Sequence, residues 1–314
     1  MELFMSTLGQ MVYLFILIAL GYILARVGAL QDGTEKVIAK LENNLFIPCL
    51  VASTFISNFT KEKLASAGSL FGLSSLLILV IVPLAVLIPK TLVKDDYTRN
   101  IYTYGLAFSN FGFMGNSVVN ALFPQIFMEY LIFTLPLWIL IYLWGVPFLL
   151  MPKGERAGVL QRLKNFINPM FIGMLIGGII GILSIKLPES VNSALNTLGG
   201  CMSPMAMILT GVTVEKINIK KMLCDYSIYI VSIIRLLIIP IVFMGIFMLF
   251  DFDKTFLICA VVSLAMPLGL NTVVIPSAYG KDTSTAAGMA LISHALSCAT
   301  IPLVFLIFDL LFVR

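Results

Sequence analysis

Ser109-Asn110-Phe111-Gly112-Phe113-Met114-Gly115-Asn116 sits in the middle of an apolar run of membrane length, 100–122. Two asparagines and two glycines at that depth make a poor lipid-facing helix, because no water is present there to bond exposed amide groups. They suit a helix that breaks and offers backbone and amide groups to a solute. A second interruption, Ala265-Met266-Pro267-Leu268-Gly269-Leu270-Asn271, stands at the matching place of a later run, 255–279. Two interrupted helices in corresponding positions point to a secondary transporter.

The rest of the chain agrees with a membrane setting. Of its 314 residues 60% are hydrophobic and 11% charged, and the mean hydropathy is +1.03. A soluble domain carries about 25% charged residues, so lipid has to be the solvent here. Ten apolar runs can be placed, at 3–26, 37–57, 65–89, 100–122, 127–151, 167–185, 191–214, 223–250, 255–279 and 285–312. What remains is short loops, with no room for a soluble domain. The expected fold is an all-α polytopic membrane protein of ten transmembrane helices.

The basic residues orient it. With the N-terminus outside, 14 of the 20 Lys and Arg fall in the inner loops, five (Lys61, Lys63, Lys186, Lys254, Arg314) fall outside, and Arg235 lies within a span. This bias puts both termini outside and the odd-numbered loops in the cytoplasm. The net charge of +4 then follows from topology. It is not a nucleic-acid footprint, since the basic residues are scattered over many loops. The first apolar run follows Met-Glu with no positive leader and no evident cleavage site, and reads as a retained helix. The cysteines, Cys49, Cys201, Cys224, Cys259 and Cys298, stand singly and read as packing residues, not as a disulfide or metal framework.

The basic linker 152–166 divides the chain into two five-helix halves, 1–151 and 167–314, that echo each other. Pro48 and Pro204 are 156 residues apart, Ser109 and Pro267 158, and Asn110 and Asn271 161. Similar offsets suggest a duplication. With an odd number of spans per half, the second enters the membrane from the opposite face, so the repeat is inverted. Exchanging the conformations of two such halves gives alternating access.

Candidate solute-binding residues follow from the breaks. The freed N–H groups and the dipole of the following half-helix favour an anion. Gly112 and Gly115 allow close approach, Asn110 and Asn116 add neutral amides, and Met114 lies between them. Pro267 removes a donor in the second break and Asn271 lies just beyond it. If the breaks meet, Asn110 and Asn271 would face one another. Pro48 and Pro204 are kinks, or shape a wall beside the solute path. Arg235, deep in its span, either attracts an anion or is a structural charge bonded to helix carbonyls. His294, the sole histidine, either couples proton movement or is a neutral hydrogen-bonding residue. Glu42, Glu129 and Asp309, nearer span ends, are either candidate proton carriers or solvated interfacial carboxylates. No carboxylate pair occupies the middle of a span.

These segments resemble the auxin efflux carrier family, which includes plant auxin carriers and bacterial permeases associated with malate or malonate. The resemblance runs through Asn43-Asn44-Leu45-Phe46-Ile47-Pro48, Ser109 to Gly115, Asn168-Pro169-Met170-Phe171-Ile172-Gly173, Ser203-Pro204-Met205-Ala206 with Thr210-Gly211, and Ala265-Met266-Pro267 to Ile301-Pro302. It implies a 5+5 inverted repeat similar to bile-acid sodium symporters, with two broken helices crossing. It implies a scaffold domain from helices 1, 2, 6 and 7 and a transport domain from helices 3–5 and 8–10. It also implies that Asn110, with its repeat counterpart Asn271, contacts a substrate carboxylate. Family members often carry proline where Ser117 stands, and plant members where Ser109 stands, so the first break is expected to rest on its glycines. The long central loop of many plant carriers is absent, which makes a bacterial permease the closer pattern.

The expected function is alternating-access transport of a small organic anion, a carboxylate, by an elevator-like or rocking movement in the cell membrane. No cofactor or bound metal is expected; sodium and protons are both candidate coupling ions. Homodimers, common in the family, are an expected assembly. An intramembrane enzyme would need an H-E-x-x-H, two deep carboxylates or a Gly-x-Ser-x-Gly with His294, and the sequence has none of these. A channel is the remaining alternative.

Overall fold

In the computed structural model, residues 2–60, 63–152, 158, 167–215, 225–269, 271–278 and 281–312 are described. Most of the central linker, Leu270 and Cys224 lie outside them. The described chain is helical throughout, with α1 (Glu2–Arg26), α2 (Thr34–Leu41), α3 (Ile47–Asn58), α4 (Lys63–Leu92), α5 (Asp96–Ala107), α6 (Asn116–Leu122) and α7 (Phe127–Leu140) in the first half. The second half holds α8 (Pro169–Ile182), α9 (Glu189–Gly200), α10 (Met202–Glu215), α11 (Tyr226–Ile233), α12 (Ile239–Phe247), α13 (Lys254–Ala265), α14 (Asn271–Ala278) and α15 (Ser284–Phe312).

Six helical stretches among the described residues are long and apolar enough to cross a membrane: Phe4–Arg26, Ser66–Leu92, Pro124–Leu150, Glu189–Glu215, Tyr226–Phe247 and Ser284–Phe312. α8 and α13 are shorter and apolar. The expected run 37–57 lies on the helical path from α2 to α3, whose start carries Glu35, Lys36, Lys40 and Glu42. The expected run 100–122 is divided between α5 and α6. Large apolar side chains cover the exterior, among them Leu79, Leu87, Ile176 and Ile179. Polar residues such as Thr7, Asn116, Thr210 and Ser232 turn inward. That inversion is what a lipid solvent selects.

Helix starts have local causes. Asp95, Asn168, Asp225 and Asp253 each accept a hydrogen bond from a backbone N–H in the first turn of the helix that follows, satisfying donors that have no partner within the helix. Four π-helical turns interrupt the described helices, at Glu42–Phe46, Phe111–Gly115, Ile141–Leu150 and Ile234–Ile238. Pro48 and Pro240 follow two of them and Pro147 lies within a third. A proline frees the carbonyl one turn upstream, and the helix widens there to re-satisfy its bonds. Pro48 therefore sits where a π turn returns to α-helix. Pro204 lies in the first turn of α10, where the missing N–H costs little.

Glycines make the tightest helix contacts. A Cβ at Gly173, Gly177 or Gly181 of α8 would stand 2.6–2.7 Å from the carbonyl oxygens of Pro48, Ala52 and Phe55. Gly21 of α1 and Gly211 of α10 likewise rest on each other's helix backbones, at Ile208 and Ile18. Small residues at this spacing let two helices touch along their main chains.

Candidate functional site

The two interruptions meet. α13 ends because Pro267 forces Met266 into an extended conformation (φ −68°, ψ 147°). α5 ends at Phe108, also extended (φ −123°, ψ 107°), upstream of the glycines and not at them. The first break is instead held by its neighbour. Ser109 and Leu268 pair as an antiparallel bridge, the Asn110 N–H donates to the Pro267 carbonyl at 2.7 Å, and Ser109 Oγ donates to the Ser263 carbonyl at 2.8 Å. Leu268 N–H in turn donates to Ser293 Oγ at 3.1 Å. Ser109 thus does by hydrogen bonding what a proline at that position would do by exclusion.

Arg235 belongs to this arrangement. Its side chain, 2% exposed, donates from one terminal nitrogen to the Leu106 carbonyl and from the other to the Ser263 carbonyl, each at 2.8 Å. Those carbonyls lie in the last turns of α5 and α13, where intrahelical partners run out and the dipoles are negative. One guanidinium therefore caps both upstream half-helices. Bonds to helix carbonyls are the geometry that one of the two sequence readings describes.

A cavity of about 300 Å³ lies at the breaks. Tyr104, Ser109, Asn110, Phe111, Gly112 and Phe113 line it from the first break, and Gly269, Asn271 and Ile275 from the second. Trp138, Ile141, Tyr142 and Val146 form a further wall, and Asn43, Ile47, Asn168, Pro169 and Met170 close it. None of these lining residues is charged. Trp138 meets Phe111 edge-on with ring centres 5.1 Å apart and stacks with Tyr142 at 6.2 Å. The first N–H groups of a helix lack intrahelical acceptors, so the cavity receives the positive ends of both downstream half-helices.

Of the residues singled out from sequence, Asn110, Gly112 and Asn271 line the cavity. The two amides are not bonded to each other. Asn110 Nδ2 lies 3.1 Å from His294 Nε2, and Asn271 Nδ2 donates to the Tyr104 hydroxyl at 3.1 Å. Met114 and Asn116 are buried in the protein away from the cavity lining. Gly115 packs on the Tyr130 hydroxyl and Met266, and Pro267 supplies its carbonyl to Asn110. The π turn explains this sorting, because it shifts the helical register after Phe111.

Sequence reasoning passed over Tyr104, Trp138, Tyr142 and Asn168 as site residues. Asn168 carried a usable signal: an Asn before Pro is a helix start, and here its Oδ1 accepts from Phe171 N–H at 3.0 Å while its Nδ2 reaches Tyr142 at 3.3 Å. Glu42 does not fit the solvated reading. It is 0% exposed, and neither carboxylate oxygen has a hydrogen-bond partner among the described residues. Its position in the π turn beneath α3 turns it into the protein and not to the interface. Glu129 pairs with Lys63 at 2.9 Å.

Apolar membrane-length helices, paired broken helices and an uncharged, largely apolar cavity between them together define a multi-pass membrane transporter. A family model described as membrane transport protein matches residues 6–162 and again 158–305. The chain belongs to this membrane transport protein family, the auxin efflux carrier family, as the sequence resemblance implied. No curated protein sequence matches the chain.

Proposed function

We propose that this protein is a secondary carrier of small organic anions, working by alternating access. The family match over residues 6–162 and again over 158–305 supports the reading; on it, ten spans would form two inverted five-helix halves, with a fold resembling bile-acid sodium symporters. The glycine-seamed helices α1, α3, α8, α9 and α10 would form the scaffold. The helices around the paired breaks would move against them, elevator-like, in a cell membrane with both termini outside. The cavity has walls from both groups, which suits a site that opens to one side and then the other.

One observation carries the anion assignment. Arg235 neutralises the negative ends of the upstream half-helices, while the positive ends of the downstream ones line an uncharged cavity. Such a site favours a negative group without fixing a charge beside it. The aromatic wall of Trp138, Phe111 and Tyr142 suits an apolar body. A monocarboxylate satisfies both, whereas a second carboxylate would find no cation in the lining. Asn110 and Asn271 are the side chains best placed to contact the carboxylate.

The test is uptake of labelled indole-acetate, malate and malonate by proteoliposomes holding wild type, Asn110→Ala or Asn271→Ala. Uptake of the monocarboxylate in preference to the diacids, reduced in both variants, is expected. Undiminished transport in both variants would remove the paired breaks from the mechanism.

A further inference from the structure

We propose that Asn110 and His294 form a proton-linked switch, in which one proton on His294 Nε2 turns the Asn110 amide over so that it can receive the substrate's carboxylate. The proposal rests on the carboxylate reading above and supplies its coupling ion.

The main chain of Asn110 is locked. Its N–H donates to Pro267 and its carbonyl accepts from Met114 N–H and Gly115 N–H, both at 3.0 Å. Only the terminal amide can turn, about a torsion that is broad and two-fold. Its partner is constrained from the other side. His294 Nδ1 lies 2.7 Å from the Ala290 carbonyl. A carbonyl only accepts, so Nδ1 carries a hydrogen in every protonation state. In the neutral ring Nε2 is then a lone pair, and Asn110 donates Nδ2–H into it across 3.1 Å.

This bond spends the donor end of the amide on the histidine. The acceptor end, Oδ1, makes no hydrogen bond among the described residues, and Asn110 lines the cavity. An acceptor oxygen at the wall repels a carboxylate. Protonating Nε2 makes both ring nitrogens donors. The amide must then reverse: Oδ1 accepts from Nε2–H, and the Nδ2 hydrogens become available to the cavity. A bound carboxylate takes one of them, and its negative charge lies one residue from the imidazolium that it compensates.

The surroundings leave that compensation to the ligand. The helices packed against α15 carry Tyr102, Tyr104, Arg235 and Cys259 as buried titratable groups. Arg235 is committed to the Leu106 and Ser263 carbonyls, Tyr104 to Asn271 and Tyr102 to Ser227. Cys298 lies one turn away on α15 itself. Arg26 pairs with Glu215 and Arg99 with Asp96 near helix ends, and Lys254 begins α13. None of these acidic groups forms an ion pair with His294 among the described residues. Proton and anion therefore favour each other's binding by the same factor. The proton arrives from the solution the acid comes from, or on the undissociated acid, and leaves with it. No other bond is made or broken, and each monocarboxylate crosses with one H⁺.

The chain has one histidine, so protein labelled with ¹⁵N-histidine and purified without a histidine tag reports on His294 alone. In nanodiscs at fixed pH near 7, the free protein should show the Nδ1–H tautomer. Adding indole-acetate should raise the imidazolium fraction, and Asn110→Ala should abolish that rise. In proteoliposomes, an inward proton gradient should speed wild-type uptake, by up to about tenfold per pH unit for a one-proton linkage. His294→Gln, whose amide does not take up a proton in this range, should lose the gradient dependence. Glu42→Gln should keep it. An Nε2–H tautomer in the free protein, or wild-type uptake indifferent to the proton gradient, overturns the switch while the carrier reading stands. Gradient dependence lost in Glu42→Gln but kept in His294→Gln also overturns it, assigning the proton to Glu42. If none of indole-acetate, malate and malonate is taken up or shifts the ring, the carboxylate reading falls and takes the switch with it. Should His294→Gln fail to fold, the wild-type ring spectra decide alone.

Discussion

Where α8 lies on α3, main chain touches main chain: the missing side chains of Gly173, Gly177 and Gly181 leave no gap for anything else. Where α5 and α13 end, main chains also meet, but side chains of Ser109, Arg235 and Ser293 take up the loose backbone groups. The first contact is closed and apolar. The second leaves a cavity and a set of polar groups with more than one way to bond. In lipid the two serve different ends, since helix packing there comes from close contact and from satisfied polar groups, not from the expulsion of water. Shape complementarity of the first kind gives one arrangement, whereas a hydrogen-bonded junction can rearrange.

Arg235→Leu should do most to break this contrast. It leaves the Leu106 carbonyl buried without its side-chain donor, at about 1–3 kcal/mol, while the Ser263 carbonyl keeps the Ser109 hydroxyl. A loss of about 3 kcal/mol is expected in thermal unfolding in detergent, with Arg235→Lys intermediate because an ammonium cannot span both carbonyls in the same fork. Wild-type stability in Arg235→Leu would mean the junction is held by something else.

Gly177→Ala tests the closed contact. Its Cβ would stand 2.6 Å from the Ala52 carbonyl oxygen, and backbone must move, costing about 2 kcal/mol. Gly112→Ala is the matched control, since its Cβ meets the end of the Trp138 ring at 2.7 Å, and that ring borders free space. We expect Gly112→Ala to change uptake more than melting temperature, and Gly177→Ala the reverse. Equal behaviour of the two would erase the distinction drawn between the regions.

Glu42→Gln probes an exception inside the closed region. Its carboxylate has no hydrogen-bond partner among the described residues, so an isosteric amide should raise stability, by about 1 kcal/mol. A lower melting temperature would show that the carboxylate has a role in holding the fold.

The smallest effect belongs to the entry of α5. Bonding to the Thr98 N–H, at 2.7 Å, holds the exposed Asp95 carboxyl below the usual carboxylate range. A lowered folded value means the contribution is whole above about pH 4, the unfolded value, and fades as pH falls through the folded one. Asp95→Ala should therefore lower the melting temperature slightly at pH 7 and not at all at strongly acidic pH. Equal shifts at both would show that the cap does not act through its charge.

Much of this could be seen in the sequence. The apolar runs, the matching interruptions and the glycines that seat α8 are local patterns, and each has a local cause. Asn110 and Asn271 stood out because polar residues within an apolar run need a reason. Met114 and Asn116 lie off the cavity lining for a geometric reason. The π turn Phe111–Gly115 adds a residue to the helical turn, so Met114 and Asn116 rotate away from the face that simple spacing assigns them. Glu42 went astray likewise, since its depth along the chain says nothing about which side of a π turn it occupies.

By itself, then, the amino-acid order determined that this chain lives in lipid, that its helices break at two places and that neutral amides stand at those breaks. Those are properties of composition and of short segments. Only the tertiary structure decided that Ser109 leans on the other break, that Arg235 serves two helix ends, and that Asn110 answers to a histidine 184 residues away. Those partners are distant in the chain, and a hydrogen bond depends on distance and direction in space, which no local pattern encodes.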